Sequence, residues 1–277
     1  MPTAVRAGAS IHYEVLGDGP PLVLLEGLGY GPWMWRYQRP ELGRSHRLIL
    51  VDNRGIAPST PLSAPYTIRE FALDTLAVLD AEAVDRASLL GVSMGGFIAQ
   101  TIAAIAPDRT DRLILVSTSA GGPDSAPMPA RTWTELSRVV TGESEAERLR
   151  RTMALALTPE FPTKRAEEFE SILRDRLQAP LEPGQWAIQA AAGAGFDAHI
   201  EVSGLRVPSL VMAGTEDRVL PWTNSVGLFR ALPMPQLLLF RGQNHLLFLE
   251  RATEFNQEVR AFLEGPPATR AGIREVV

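Results

Sequence analysis

The feature that most constrains this chain is a series of short, almost continuously apolar runs, each set apart from the next by turns or by residues at helical spacing. The runs are Pro21–Glu26, Arg47–Asp52, Ala87–Val92, Arg112–Ser117, Ser209–Ala213 and Gln236–Phe240. A strand with one wet face alternates apolar with polar residues, so a run that is apolar throughout must be covered on both sides. Amphipathic patterns over Ile68–Ala81, Gly95–Ala106, Asn224–Ala231 and Thr253–Leu263 supply that cover. Strand alternating with helix predicts an α/β fold around a mostly parallel sheet. Ser10–Leu16, ahead of the turn-forming Gly17-Asp18-Gly19-Pro20, is expected to be its antiparallel edge.

The pattern changes after Gly122. Helical patterns follow one another there, roughly Ala130–Val140, Ser144–Ala156, Lys164–Leu177 and Gly184–Ala192, with no strand between them. This predicts a core of residues 1–122 and 204–264, a helical lid over 123–203, and a flexible tail over 265–277.

Composition excludes several functions. The chain has 277 residues, a formal net charge of −5 and no cysteine. Mild acidity argues against nucleic acid or an anionic membrane as a partner, since both demand concentrated Lys and Arg. Without cysteine there is no disulfide, thiolate nucleophile or Cys-bearing metal site. No metal or cofactor motif occurs; Gly27-Leu28-Gly29-Tyr30-Gly31 lacks the spacing of a dinucleotide or phosphate loop. The first residues do not read as a secretory signal, and no apolar stretch approaches the ~20 residues of a membrane span. A cytoplasmic protein acting on a small molecule is expected, monomeric or homodimeric.

Gly91-Val92-Ser93-Met94-Gly95-Gly96 stands between the apolar run Ala87–Leu90 and the helical run Phe97–Ala106. A sharp strand-to-helix turn lifts a serine hydroxyl into the open and aims the first helical amides at its oxygen, and crowding demands glycine at 91 and 95. With this context the chain resembles the α/β-hydrolase superfamily from about Ile11 to Leu263. Asp52-Asn53-Arg54-Gly55-Ile56-Ala57-Pro58-Ser59 is similar to that family's D-x-R-G-x-G-x-S loop, with Ala57 in place of the second glycine.

A serine hydroxyl needs an adjacent base, itself held in one tautomer by a carboxylate. Among His12, His46, His199 and His245, only His245 follows the last strand-like run. The resemblance implies the chain order Ser…Asp…His, which gives Ser93 as nucleophile, His245 as base and Asp217 as its acid, with Glu216 the neighbouring alternative. The amides of Met94 and Leu28 are the implied oxyanion-hole donors. Glu26 departs from the family, where histidine is common. Arg54 is its expected partner, with Glu26 either bracing the loop or bordering the pocket. Tyr30, Trp133, Trp186 and Phe248 are the other candidate pocket residues.

Serine at the elbow implies acyl transfer to water rather than the aspartate-based branches of the family. His245–Glu250 with Phe255-Asn256 and Phe262-Leu263, and Gly195-Phe196-Asp197-Ala198, are similar to 3-oxoadipate enol-lactonases. Hydrolysis of an ester or enol-lactone of a small, largely apolar substrate, without a cofactor, is therefore expected. Carbon–carbon bond hydrolysis, cofactor-free perhydrolysis and a non-catalytic receptor of the same fold stay open.

Overall fold

The computed structural model describes residues 2–63, 65–179, 181–199, 201–266 and 272–277. Its strands are β1 (Thr3–Arg6), β2 (Ala9–Leu16), β3 (Pro21–Leu25), β4 (Arg47–Val51), β5 (Ala87–Val92), β6 (Thr110–Val116), β7 (Ser209–Gly214), β8 (Pro235–Phe240) and β9 (Gly272–Val276). They form one sheet in the order β1-β2-β4-β3-β5-β6-β7-β8-β9. Only the β1–β2 and β2–β4 pairings are antiparallel; the rest are parallel.

The apolar runs are strands because both sheet faces are covered. Along β3, Val23 and Leu25 enter one core while Leu22 and Leu24 enter the other. The alternation repeats in β6, where Leu113 and Leu115 face one core and Ile114 and Val116 the opposite one. The helices Ile68–Ala81 and Met94–Ile105 cover the first core through Phe71, Val78, Ile98 and Ile102. The helix Ala252–Glu264 covers the second through Phe255, Val259 and Phe262. Burying an aliphatic side chain contributes about 1.5–3 kcal/mol, so these double-sided strands are the main source of stability.

Between β6 and β7 run the helices Ala130–Ser137, Glu145–Leu155, Phe161–Lys164, Ala166–Gln178 and Pro183–Ala194. Ser144 and Glu147 form a capping box at the second, satisfying amides that the first turn would otherwise leave free. Leu149, Met153, Phe169, Ile172 and Leu173 from this insertion join the second core.

In place of the flexible tail expected over 265–277, residues Gly272–Val276 form β9, which pairs in parallel with β8 from Gln236↔Gly272 to Phe240↔Val276. The intervening residues 267–271 lie outside the described residues. Among the described residues no helix is long and apolar enough to cross a membrane.

Candidate active site

Ser93 follows β5 directly, and the helix Met94–Ile105 begins at the next residue. Its backbone is at φ 55°, ψ −118°, a left-handed setting that non-glycine residues avoid. A Cβ on Gly91 would stand 2.2 Å from Gly95 O, and one on Gly95 would stand 2.1 Å from Leu25 O. The turn can close only with glycine on both sides. Ser93 N–H donates to Val116 O at 2.9 Å, while Ser93 O accepts from Thr118 Oγ1 at 2.8 Å. The strained residue is thereby anchored to the end of β6.

His245 is reached from β8 and Asp217 from β7. His245 Nδ1 and Asp217 Oδ2 lie 2.8 Å apart, in a pair whose side chains are 7% and 0% exposed. The other carboxylate oxygen, Oδ1, accepts from the amides of Val219 at 2.8 Å and Leu220 at 2.9 Å. Three donors thus hold Asp217 in one orientation. With Nδ1 committed to the carboxylate, Nε2 is the nitrogen left to take a proton. His245 O accepts from Ser117 Oγ at 3.0 Å, and Ser117 N–H donates to Met212 O at 2.8 Å. The elbow and the histidine loop are therefore tied to adjacent residues, Val116 and Ser117, at one sheet edge.

A residue that sequence reasoning missed holds this arrangement together. Asn244, 1% exposed, accepts through Oδ1 from the amides of Arg218 at 2.9 Å and His245 at 2.8 Å. Its Nδ2 donates to Leu155 O at 3.0 Å and Leu157 O at 2.6 Å. The only signal for it was its place, an amide side chain just before the histidine in a post-strand turn.

The turn after β3 lies against Ser93: a Cβ on Gly27 would be 3.6 Å from Ser93 Cβ. Leu28 follows. Among the described residues no hydrogen bond takes up the amide of Leu28 or of Met94. Tyr30 and Trp33 stack with ring centroids 5.1 Å apart, and the Arg176 guanidinium sits 4.5 Å above the Tyr30 ring. Trp186 packs on Gly29, its Cδ1 3.0 Å from where a Cβ would be.

Three sequence expectations need correction. Arg54 does not pair with Glu26; its Nη2 donates to Asp74 Oδ1 at 2.8 Å, a buried carboxylate that the helix Ile68–Ala81 places beside it. Glu26 is fully buried, and neither of its oxygens has a partner among the described residues. Burial, with the charges of Asp52 and Glu14 adding to it, pushes its carboxyl well above the usual carboxylate range. Phe248 is also fully buried, packed between Trp35 and Phe255 at 5.5 and 6.0 Å as a core residue. Trp133, by contrast, is 52% exposed on the first insertion helix. Tyr30 and Trp186 are the two predicted pocket residues placed beside the turn that follows β3.

Residues 20–252 match the family model described as the alpha/beta hydrolase fold. The chain belongs to the α/β-hydrolase fold family. A protein of Azorhizobium caulinodans that carries the carbamate-hydrolase name RutD is 30% identical to this α/β-hydrolase, over 95% of this chain and 98% of its own. A 2-hydroxy-6-oxononadienedioate/2-hydroxy-6-oxononatrienedioate hydrolase of Dechloromonas aromatica is 29% identical, over 91% and 90%. Among solved structures, the enol-lactonase from Burkholderia xenovorans LB400 superposes with a TM-score of 0.82 at 26% identity, covering 95% of this chain and all of that one (100%). This α/β-hydrolase is accordingly an enzyme of the hydrolase class.

Proposed function

We propose that this α/β-hydrolase cleaves a carboxylic ester or enol-lactone of a small, largely apolar substrate through an acyl-enzyme. The observation that carries the proposal is the 2.8 Å contact of His245 with Asp217, at the same sheet edge as the strained Ser93. His245 Nε2 takes the proton as Ser93 Oγ attacks the acyl carbon. The amides of Leu28 and Met94 meet the oxygen that becomes negative, a service worth roughly 3–4 kcal/mol per donor in acyl transfer. The alcohol or enol oxygen leaves with the proton from His245. Water, activated by the same nitrogen, then releases the acid and restores Ser93.

The likeness to a hydrolase named for a nonadienedioate substrate favours one second reading, hydrolytic cleavage of a carbon–carbon bond at the same serine. One experiment separates the readings. A fluorophosphonate is expected to label the parent and not Ser93→Ala, and the parent is expected to turn over p-nitrophenyl esters or an enol-lactone. Labelling with a vinylogous diketo acid as the far better substrate would establish the second reading. No labelling and no turnover would leave a binding protein instead.

A further inference from the structure

We propose that Gln189, on the last helix of the insertion, is a positioning residue for the oxyanion turn, so that hydrolysis depends on how the insertion is seated on the core. This deepens the acyl-transfer proposal and rests on its assignment of the Leu28 amide. Gln189 is fully buried, yet it is not packed as an inert amide. Its Oε1 accepts from Gly29 N–H at 3.0 Å, and its Nε2 donates to Arg54 O at 3.0 Å. A single side chain thus joins the loop after β3 to the loop after β4.

The consequence for Leu28 is geometric. Gly29 is at φ 71°, and Tyr30 N–H closes the turn onto Gly27 O at 3.2 Å. Anchoring Gly29 N–H fixes the Leu28–Gly29 peptide plane from the other side, leaving Leu28 little freedom to turn its own N–H away. Preorganised donors stabilise a transition state because they need not reorient when charge develops. Trp186, on Gly29, is one helical turn from Gln189 and fills the same seam.

The same helix provides an internal comparison. Gln185 is bonded to the core in the same manner, accepting from Leu62 N–H at 2.5 Å and donating to Leu62 O at 3.2 Å. Its side-chain bonds go to the loop after β4, and among the described residues none goes to the turn after β3. Losing Gln185 therefore weakens docking alone, whereas losing Gln189 weakens docking and frees Gly29.

The experiment measures kcat and KM on a short-chain ester, and the inhibition constant of an alkyl boronic acid that mimics the tetrahedral adduct, for Gln189→Met, Gln189→Glu and Gln185→Met, with melting temperatures alongside. Gln189→Met is expected to lower kcat by about tenfold, less than the loss of a whole oxyanion donor, with KM within about twofold and boronate affinity falling in step. Gln189→Glu keeps the acceptor for Gly29 and is expected to retain kcat within about threefold. Gln185→Met is expected to melt earlier with kcat within about twofold of the parent. Equal kcat losses in the two Met variants, or no recovery in Gln189→Glu, would overturn the inference. Should Gln189→Met not fold, Gln189→Glu decides: a tenfold loss in kcat at a parental melting temperature overturns it, and near-parental kcat with unchanged boronate affinity upholds it. Turnover surviving in Ser93→Ala would instead bring down the acyl-enzyme proposal, and this one with it.

Discussion

Asn244 accepts the amide hydrogen of Arg218 at 2.9 Å, so the loop carrying the candidate base is stitched to the loop carrying its acid. The bond between His245 and Asp217 is thereby backed by a second link one residue away along each loop. The same asparagine donates to Leu155 O and Leu157 O of the insertion. Acid, base and insertion share one buried amide group.

Asn244→Ala should therefore harm stability and activity together. It leaves two amides and two carbonyls without their partner, a loss of about 2–3 kcal/mol. It also loosens the histidine, and kcat is expected to fall at least roughly tenfold. Denaturant unfolding and steady-state kinetics on one ester check both; a variant with parental kcat would separate Asn244 from the reaction.

Asp217→Asn tests the orientation of the imidazole rather than the fold. The amide oxygen can still accept from Val219 and Leu220, so the melting temperature should move little. The amide nitrogen facing His245 would favour the wrong tautomer, and kcat is expected to drop by about 10³–10⁴-fold. A drop smaller than tenfold would remove Asp217 from the proposed set and direct attention to Glu216.

Glu26 gives a prediction in pH. Its carboxyl is raised in the folded chain, chiefly by burial. In the unfolded chain it ionises near its ordinary value of 4.5. Stability that is intact below that value is lost as pH rises toward the folded-state value. Glu26→Gln should remove this loss and melt higher than the parent at pH 8, with the difference shrinking toward pH 4. Parallel melting curves at both pH values would show that Glu26 is not held protonated.

Two glycine-to-alanine changes should have opposite outcomes. Gly95→Ala puts a Cβ 2.1 Å from Leu25 O and should cost more than about 4 kcal/mol, or yield no folded protein. Gly227, inside the helix Thr223–Ala231, has nothing within 4 Å of a new Cβ. Gly227→Ala is expected to gain about 0.5–1 kcal/mol. Thermal melts of the two proteins are sufficient.

The sheet was legible because its strands are buried on both faces, which writes an unbroken apolar run into Pro21–Leu25, Ala87–Val92 and Ser209–Gly214. The strand-to-helix turn at Ser93 and the post-strand position of His245 were legible because both are local patterns. Gly272–Val276 was not: it lies at an edge, and most of its residues are exposed, with Ile273 at 58%. Gln189 left no signal and Asn244 only its place before the histidine, because a buried amide finds backbone partners far away in sequence and leaves no periodic trace. For a related reason, Arg54 pairs with a different carboxylate from the one expected. The sequence points to Glu26, at the end of the neighbouring strand, whereas Asp74, one helix further on, accepts from Arg54 together with Arg6. Phe248 reads as a pocket residue in the sequence because an aromatic near the candidate histidine loop looks the same whether it faces the cleft or the core.

The parallel pairing of Gly272–Val276 with β8 also bears on how this protein can be handled. A chain cut short before residue 272 would uncover a row of peptide groups along Gln236–Phe240, the segment leading to the histidine loop. Open rows of that kind recruit other chains. Versions lacking β9 should therefore self-associate, which size-exclusion chromatography of the shortened and parent chains would read.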